Sequence, residues 1–258
     1  MQEPTVSVIV TTYNRERYLK ETIQSILNQT FSDFELIVVD NYSNYDFIKL
    51  IEEFNDPRIR PFQNINNGII AVNRNYGISK AKGKFLAFCD DDDLWMPEKL
   101  ERQVEFISKC KEHALVCANL ARFSDNPNNS RAPKFKSQYI SLRNLLFKNP
   151  VATSSVLINN DEKVRFDEST YLITVEDYEM WLRLFLEGVK IYFVGEPLVY
   201  YRENSQNTSK GQNYFLLPVR RIYLLSQLRI KYHLSGSKYI MHVFLNVVEL
   251  AAKLVFKR

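Results

Sequence analysis

Phe85-Leu86-Ala87-Phe88-Cys89-Asp90-Asp91-Asp92-Asp93-Leu94-Trp95-Met96-Pro97-Glu98-Lys99-Leu100 decides how the chain is read. An apolar run with aromatics predicts a buried strand, and Pro97 followed by Glu98 is a helix-opening signal, since proline suits a first turn and acid suits its dipole. The four aspartates therefore stand at a strand's C-terminal end, the edge where open α/β sheets bind ligands. Adjacent carboxylates repel and raise one another's pKa unless a cation or several donors compensate. Oxygen ligands without a nearby cysteine or histidine point to Mg²⁺ or Mn²⁺ completed by a substrate phosphate, rather than to zinc. The plain alternative is a solvated acidic turn that caps the next helix.

Working outward, Val6 to Val10 is an apolar strand that ends in Thr11-Thr12-Tyr13-Asn14-Arg15, and a helix follows with Tyr18, Leu19, Ile23, Ile26 and Leu27 on one face. Leu36 to Val39 repeats the pattern, ending in Asp40-Asn41-Tyr42-Ser43 before a helix through Phe47, Leu50 and Phe54. A third strand, Ile59 to Phe62, leads to Asn66-Asn67-Gly68 and a helix with Arg74 near its start and Gly83 as its stop. Strand alternating with helix predicts a doubly wound, mostly parallel sheet. Thr11, Tyr13, Asn14, Arg15 and Asp40 should then gather at the same edge as the aspartates, where an aspartate can accept from a base N–H and a tyrosine can stack on the base. Singly, each is an ordinary turn or rim residue. Arg74 beside a helix start suits a diphosphate, while a lone helical arginine is otherwise a surface residue.

Further along, the sequence predicts a helix over Glu101 to Cys110, strands at Leu115–Ala118, Val151–Ile158 and Leu198–Arg202, and a loop around Asn126. Thr174 to Leu184 reads as a helix opening with acids, Trp181 and Leu184 being core and Glu176 and Asp177 answering the dipole.

Composition limits the rest. With 258 residues and 45% hydrophobic content, a sizeable core is available. Three cysteines without C-x-x-C spacing suit neither a disulfide framework nor a thiolate metal site, and a reducing, cytoplasmic setting fits them. No signal peptide and no uncharged apolar run of spanning length is read. The net charge of +4 conceals an asymmetry: residues 210–258 hold nine Lys/Arg against the single acid Glu249. Residues 1–210 are read as one domain and 211–258 as a basic helical appendage. Within it, His242, Asn246, Glu249, Lys253 and Lys257 form a polar stripe opposite Ile240, Met241, Phe244, Leu245 and Val248. Such a helix packs on the domain, dimerises, or lies on the inner face of the plasma membrane through residues 237–258. No nucleic-acid partner is expected.

The succession Val6-Ser7-Val8-Ile9-Val10-Thr11-Thr12-Tyr13-Asn14-Arg15, Ser25-Ile26-Leu27-Asn28-Gln29-Thr30-Phe31, Glu35-Leu36-Ile37-Val38-Val39-Asp40, Arg74-Asn75-Tyr76-Gly77-Ile78 and the aspartates before Leu94-Trp95 resembles a family 2 glycosyltransferase of the GT-A fold. The resemblance spans roughly residues 5–205. It implies an inverting enzyme of the bacterial surface-polysaccharide type that moves a sugar from a nucleotide diphosphate, most simply UDP, to an acceptor hydroxyl on a lipid-linked glycan. It implies that Tyr13 and Asp40 hold the base, that Asp90 and Asp91 lie near the ribose and diphosphate, and that Asp92 ligates the metal. It further gives Asp177 as catalytic base with Glu176 beside it. The family usually has a small residue where this chain has Asp91, so either Asp90 or Asp91 faces the nucleotide. Tyr201-Arg202 followed by Asn207-Thr208-Ser209 resembles the closing motif, but Asn204 stands where many relatives have a histidine, leaving Arg202 as a candidate counter-charge for the diphosphate.

Two other functions compete. A nucleotidyltransferase would need a glycine-rich, lysine-containing loop after the first strand, and Thr11-Thr12-Tyr13-Asn14-Arg15 has no glycine. A sugar-nucleotide-binding module without turnover would have no need of the Glu176-Asp177 pair.

Overall fold

The computed structural model describes residues 3–110, 114–147, 149–203, 212–233, 236 and 243–249. In order these form β1 (Val6–Thr12), α1 (Glu16–Leu27), β2 (Phe34–Asp40), α2 (Phe47–Glu52), β3 (Ile59–Gln63), α3 (Ile70–Lys80), β4 (Phe85–Asp90), β5 (Leu94–Trp95) and α4 (Lys99–Ser108). Then follow β6 (Ala114–Phe123), β7 (Gln138–Tyr139), α5 (Leu142–Phe147), β8 (Leu157–Asn159), α6 (Glu176–Leu186), β9 (Lys190–Arg202) and α7 (Gln212–Tyr232).

The strands form one sheet in the order β3-β2-β1-β4-β8-β6-β9-β5, with β7 also on β9. β3, β2, β1 and β4 run parallel, β8 is antiparallel between β4 and β6, and β5 and β7 are antiparallel additions to β9. All seven residues of β1 are buried, as a strand covered on both faces requires. Its side chains alternate between two cores. Val6, Val8 and Val10 join α1, α2 and α4 on one face, while Ile9 joins α3, α5, α6 and α7 on the other.

After β1 the chain moves outward through β2 and β3, then crosses back to place β4 on the opposite side of β1. The order reverses there, opening a crevice at the strands' C-terminal ends. The register puts Thr11 beside Asp90 and Thr12 beside Asp40, so three polar strand ends converge on it.

Four local expectations are corrected. Residues Val151–Ile158 are not a strand: Thr153–Ser155 form a 3-10 turn and only Leu157–Asn159 pair, because the Ser and Thr hydroxyls and carbonyls bond within the turn and to neighbouring elements. Pro97 does not open α4. Leu94-Trp95 first pairs with β9, and the helix begins two residues after the proline with Glu98 as its cap. Arg74 is the fifth residue of α3, beyond the first turn where a helix dipole acts. Gly83 is not a helix cap either, since α3 ends at Lys80 with an extended residue after it.

Gly83 is instead required by close approach. A Cβ there would lie 2.5 Å from the Ser7 nitrogen and 2.7 Å from the Val6 carbonyl carbon. The contact lets Ser7 Oγ accept from the amides of Lys82 and Gly83 at 3.1 and 2.8 Å, stitching the turn before β4 to β1. Gly83→Ala forces backbone apart and costs about 1–3 kcal/mol, as overpacking does. A melting scan should show a fall of roughly 2–10 °C at this chain length, and an unchanged melting temperature would contradict the close packing.

The face of α7 carrying Leu224, Leu225 and Leu228 is buried in the second core, and Tyr232 donates to Glu187 Oε1 at 2.7 Å. Residues 243–249 are helical, with Asn246 buried, Glu249 paired to Arg221 at 3.2 Å, and Phe244, Leu245, Val247 and Val248 exposed. The polar stripe thus faces the protein there and the apolar one faces outward. His242, Lys253 and Lys257 lie outside the described residues, as does Asn204. Among the described residues no helix is long and apolar enough to cross a membrane.

Candidate active site

The acidic run leaves β4 as a tight turn, with the Asp93 amide donating to Asp90 O at 3.2 Å. Groups distant in sequence fix it from below. Thr22 Oγ1 on α1 donates to Asp93 O at 2.8 Å, and the Arg202 backbone N–H donates to Asp93 Oδ1 at 3.0 Å. Arg202 Nε donates to Asp92 O at 2.8 Å, its guanidinium lies against the Tyr18 and Phe123 rings, and Glu21 pairs with its other end. Arg202 therefore braces the turn from the protein interior. Asp93, which sequence reasoning passed over, is buried beneath the turn. Burial first, then the charges of Asp90 and Asp92, push its pKa well above the usual carboxylate range.

The other three aspartates line a cleft of about 930 Å³. Asp91 accepts from Thr12 Oγ1 at 2.8 Å and from Arg15 at 2.9 Å, and Arg15 also reaches Asp92 Oδ2 at 3.0 Å. Burial nevertheless raises Asp91 to about 6, against the pull of Arg15 and Thr12. Asp90 is bound by Arg74, whose guanidinium donates to Asp90 Oδ1 at 2.9 Å and to Glu176 Oε1 at 2.8 Å while lying over the Phe166 ring. That bridge joins the acidic turn to the first residue of α6.

The next residue of α6, Asp177, also lines the cleft. Its Oδ2 accepts from Thr153 Oγ1 at 3.2 Å and its Oδ1 from the Tyr178 amide at 2.6 Å. Burial, and after it the Glu176 charge, raises its pKa to about 7. It is a carboxyl poised to exchange a proton near neutrality. Thr153 was missed because its segment read as a plain strand, although the Thr-Ser-Ser composition was the available signal.

On the other side of the turn, Asn14 adopts a left-handed φ of 54°, which asparagine tolerates. Its amide donates to Ser43 Oγ at 2.8 Å and its Oδ1 accepts from Asn44 N at 2.8 Å. Asp40 is wholly buried and accepts from Ser43 N, Ser43 Oγ and Gln63 Nε2. The loops after β1 and β2 are thereby locked together, leaving Tyr13 exposed on their rim. Thr11 and Arg15 line the cleft itself.

Residues 7–165 match Glycosyl transferase family 2. An uncharacterized glycosyltransferase of Methanocaldococcus jannaschii is 30% identical over 93% of this chain and 82% of its own. The chain belongs to glycosyl transferase family 2. A second relative, the UDP-Glc:alpha-D-GlcNAc-diphosphoundecaprenol beta-1,3-glucosyltransferase WfgD of Escherichia coli, is 30% identical over 71% of each chain. Among solved structures, S. aureus TarS 1–349 in complex with UDP-GlcNAc superposes with a TM-score of 0.73 at 20% identity, covering 98% of this chain and 74% of that one. A Pyrobaculum calidifontis mannosyltransferase in complex with GDP-Man and Mn²⁺ gives 0.62 at 15%, covering 100% and 77%. The fold is accordingly GT-A-like and the protein is a glycosyltransferase; the nucleotidyltransferase and non-catalytic readings fall.

In this family member the structure brings Thr11, Arg15, Arg74, Asp90, Asp91, Asp92, Glu176 and Asp177 to one cleft. Tyr13, Asn14 and Asp40 stand beside it, and Arg202 stands beneath.

Proposed function

We propose that this glycosyltransferase inverts configuration as it passes a sugar from a UDP-sugar to a hydroxyl of a lipid-linked surface glycan, with Asp177 as base. The observation that carries this is the placement of the Asp177 carboxyl in the same cleft as the acidic turn, where burial and the Glu176 charge raise its pKa. The acceptor oxygen attacks the anomeric carbon, its proton passes to Asp177, and the bond from that carbon to the diphosphate breaks with its electron pair leaving on the diphosphate. Glu176 holds Arg74 and orients the helix start. Tyr13 offers a stacking surface for the base, and Asn14 and Asp40 fix the loop that presents it. Thr11, Asp90 and Asp91 face the ribose and diphosphate. Arg15 supplies positive charge that can turn from Asp91 and Asp92 to the donor, and Arg202 acts by positioning the turn.

The donor set suits Mg²⁺ or Mn²⁺. Three carboxylates from one turn line the cleft, yet no group of three ligating side chains closes around a single point among the described residues. A hard cation held by Asp92 with the remaining positions filled by donor phosphate matches that pattern. When bound, such an ion offsets charge on the departing diphosphate. A solved fold neighbour holds Mn²⁺ with its sugar nucleotide.

The lipid-linked acceptor is supported by the Escherichia coli relative, whose name specifies a diphosphoundecaprenol substrate. The outward apolar residues at 244–248 and the basic residues of 210–258 suit the cytoplasmic face of an anionic membrane, at about 1 kcal/mol per basic residue near the surface. Removing 237–258 should reduce co-sedimentation with anionic vesicles and leave turnover on a soluble acceptor; unchanged sedimentation removes the membrane role. The transfer reading is tested by incubating purified protein with common sugar nucleotides and acceptors and following nucleoside diphosphate release. Acceptor-dependent release from one donor is expected, and absence of release from every donor refutes it.

A further inference from the structure

The cleft extends well beyond the acidic turn, and its far part has a chemistry the transfer step does not use. Four arginines line it. Arg15 pairs with Asp91 and Asp92, Arg74 with Asp90 and Glu176, and Arg122 with Glu203. Arg143 on α5 is exposed and has no carboxylate partner among the described residues. Its helix is tied to the base: the Tyr178 hydroxyl, one residue from Asp177, donates to Leu145 O at 2.9 Å. A cation with no carboxylate partner among the described residues is thus carried on a helix that is hydrogen-bonded to the helix of Asp177, in the same cleft.

An aromatic side chain lines the same cleft. Phe135 is 57% exposed although its backbone is tightly held. Asn119 Nδ2 donates to Pro133 O at 2.7 Å, the Gly195 amide donates to Ser137 Oγ at 3.0 Å, and a Cβ on Gly195 would lie 2.2 Å from Phe135 O. The ring leans edge-on against Phe193, with centroids 5.9 Å apart. The exposed ring thus offers the cleft an apolar face on a backbone whose neighbours are hydrogen-bonded in place.

We infer that Arg143 binds the diphosphate of a polyprenyl-diphosphate-linked acceptor and that Phe135 supports the first part of its lipid chain. This rests on the transfer reading above, because the acceptor sugar must sit at Asp177 for its diphosphate to fall toward α5. Charge selects this occupant: a planar guanidinium reads a diphosphate through paired N–H donors, and a neutral glycan would leave it unanswered.

The test measures equilibrium binding, with UDP saturating, of two GlcNAc ligands carrying the same undecyl chain, one through a diphosphate and one as a neutral glycoside. Wild type should prefer the diphosphate. Arg143→Gln should weaken that ligand by about 10- to 100-fold, the worth of a charge-assisted hydrogen-bond pair, while the neutral ligand is unaffected. Arg143→Lys should recover part of the loss, and Phe135→Ser should weaken both chain-bearing ligands. UDP affinity unchanged across the set reports an intact fold. No preference in wild type, or equal weakening of both ligands by Arg143→Gln, overturns the inference. Nucleotide release with any acceptor keeps the transfer reading alive in that event, so the two fail separately.

Discussion

Asp177→Asn should lower the single-turnover rate by roughly 10² to 10⁴, the usual worth of a positioned base, with donor affinity almost unchanged. The acceptor hydroxyl cannot attack until its proton has somewhere to go, and the amide offers no basic oxygen while preserving shape. Glu176→Gln should be milder, since an amide oxygen still accepts from Arg74. Because burial and the Glu176 charge raise Asp177 to about 7, the wild-type rate should fall as pH drops below that value and level off above it. Below the pKa the carboxyl already holds a proton and cannot accept another; above it the base form is fully present. If instead both acids only answer the helix dipole, the mutants lose about 0.3–1 kcal/mol of stability each and keep their turnover. An Asp177→Asn enzyme as fast as wild type, or a dead Glu176→Gln, would remove the assignment.

Removal of divalent ions should abolish transfer, and Mn²⁺ or Mg²⁺ should restore it. Asp92→Asn should cost about 10² or more in turnover, since a cation at the departing diphosphate supplies several kcal/mol. The substitution keeps size and hydrogen bonding and deletes only charge. Donor binding gives a reading independent of catalysis: adding metal should tighten it in wild type and barely alter it in Asp92→Asn. Arg15 already lies against Asp92, so the alternative is a site in which that guanidinium does the neutralising. Full transfer in excess chelator would establish that alternative.

The parallel half of the sheet was legible because its strands are nearly continuous apolar runs that stop at polar residues, a pattern that states both the element and its functional end. Phe85–Asp90 followed the expectation for that reason, as did Val6–Thr12. The second half was harder. β6 and β9 pair parallel at length but with register shifts, β5, β7 and β8 add only short antiparallel segments, and at Thr153–Ser155 side-chain hydroxyls compete with the ladder, so no local pattern states the outcome. Long-range charge pairing was equally hidden. Arg74, Asp90 and Glu176 each looked like a separate ligand contact in sequence, and only folding reveals that they satisfy one another. Asp93 could not be told from its three neighbours, since one residue's rotation around a turn decides which carboxylate goes under the sheet edge. Arg143 gave no signal at all: one arginine on a short helix acquires meaning only from what the cleft lacks around it.

The Arg74 bridge also bears on how such enzymes are recombined. On the proposed roles, donor-side residues come from positions up to Asp92 and acceptor-side residues from the later ones, which invites exchange of halves between relatives to make new linkages. One guanidinium spans that seam, bonded at one end to Asp90 and at the other to Glu176. A chimera with a foreign first half can leave the buried Glu176 without its counter-ion, a loss of about 3–5 kcal/mol, while one with a foreign second half leaves Arg74 paired with Asp90 alone. The halves are interchangeable only when arginine and glutamate travel as a matched pair.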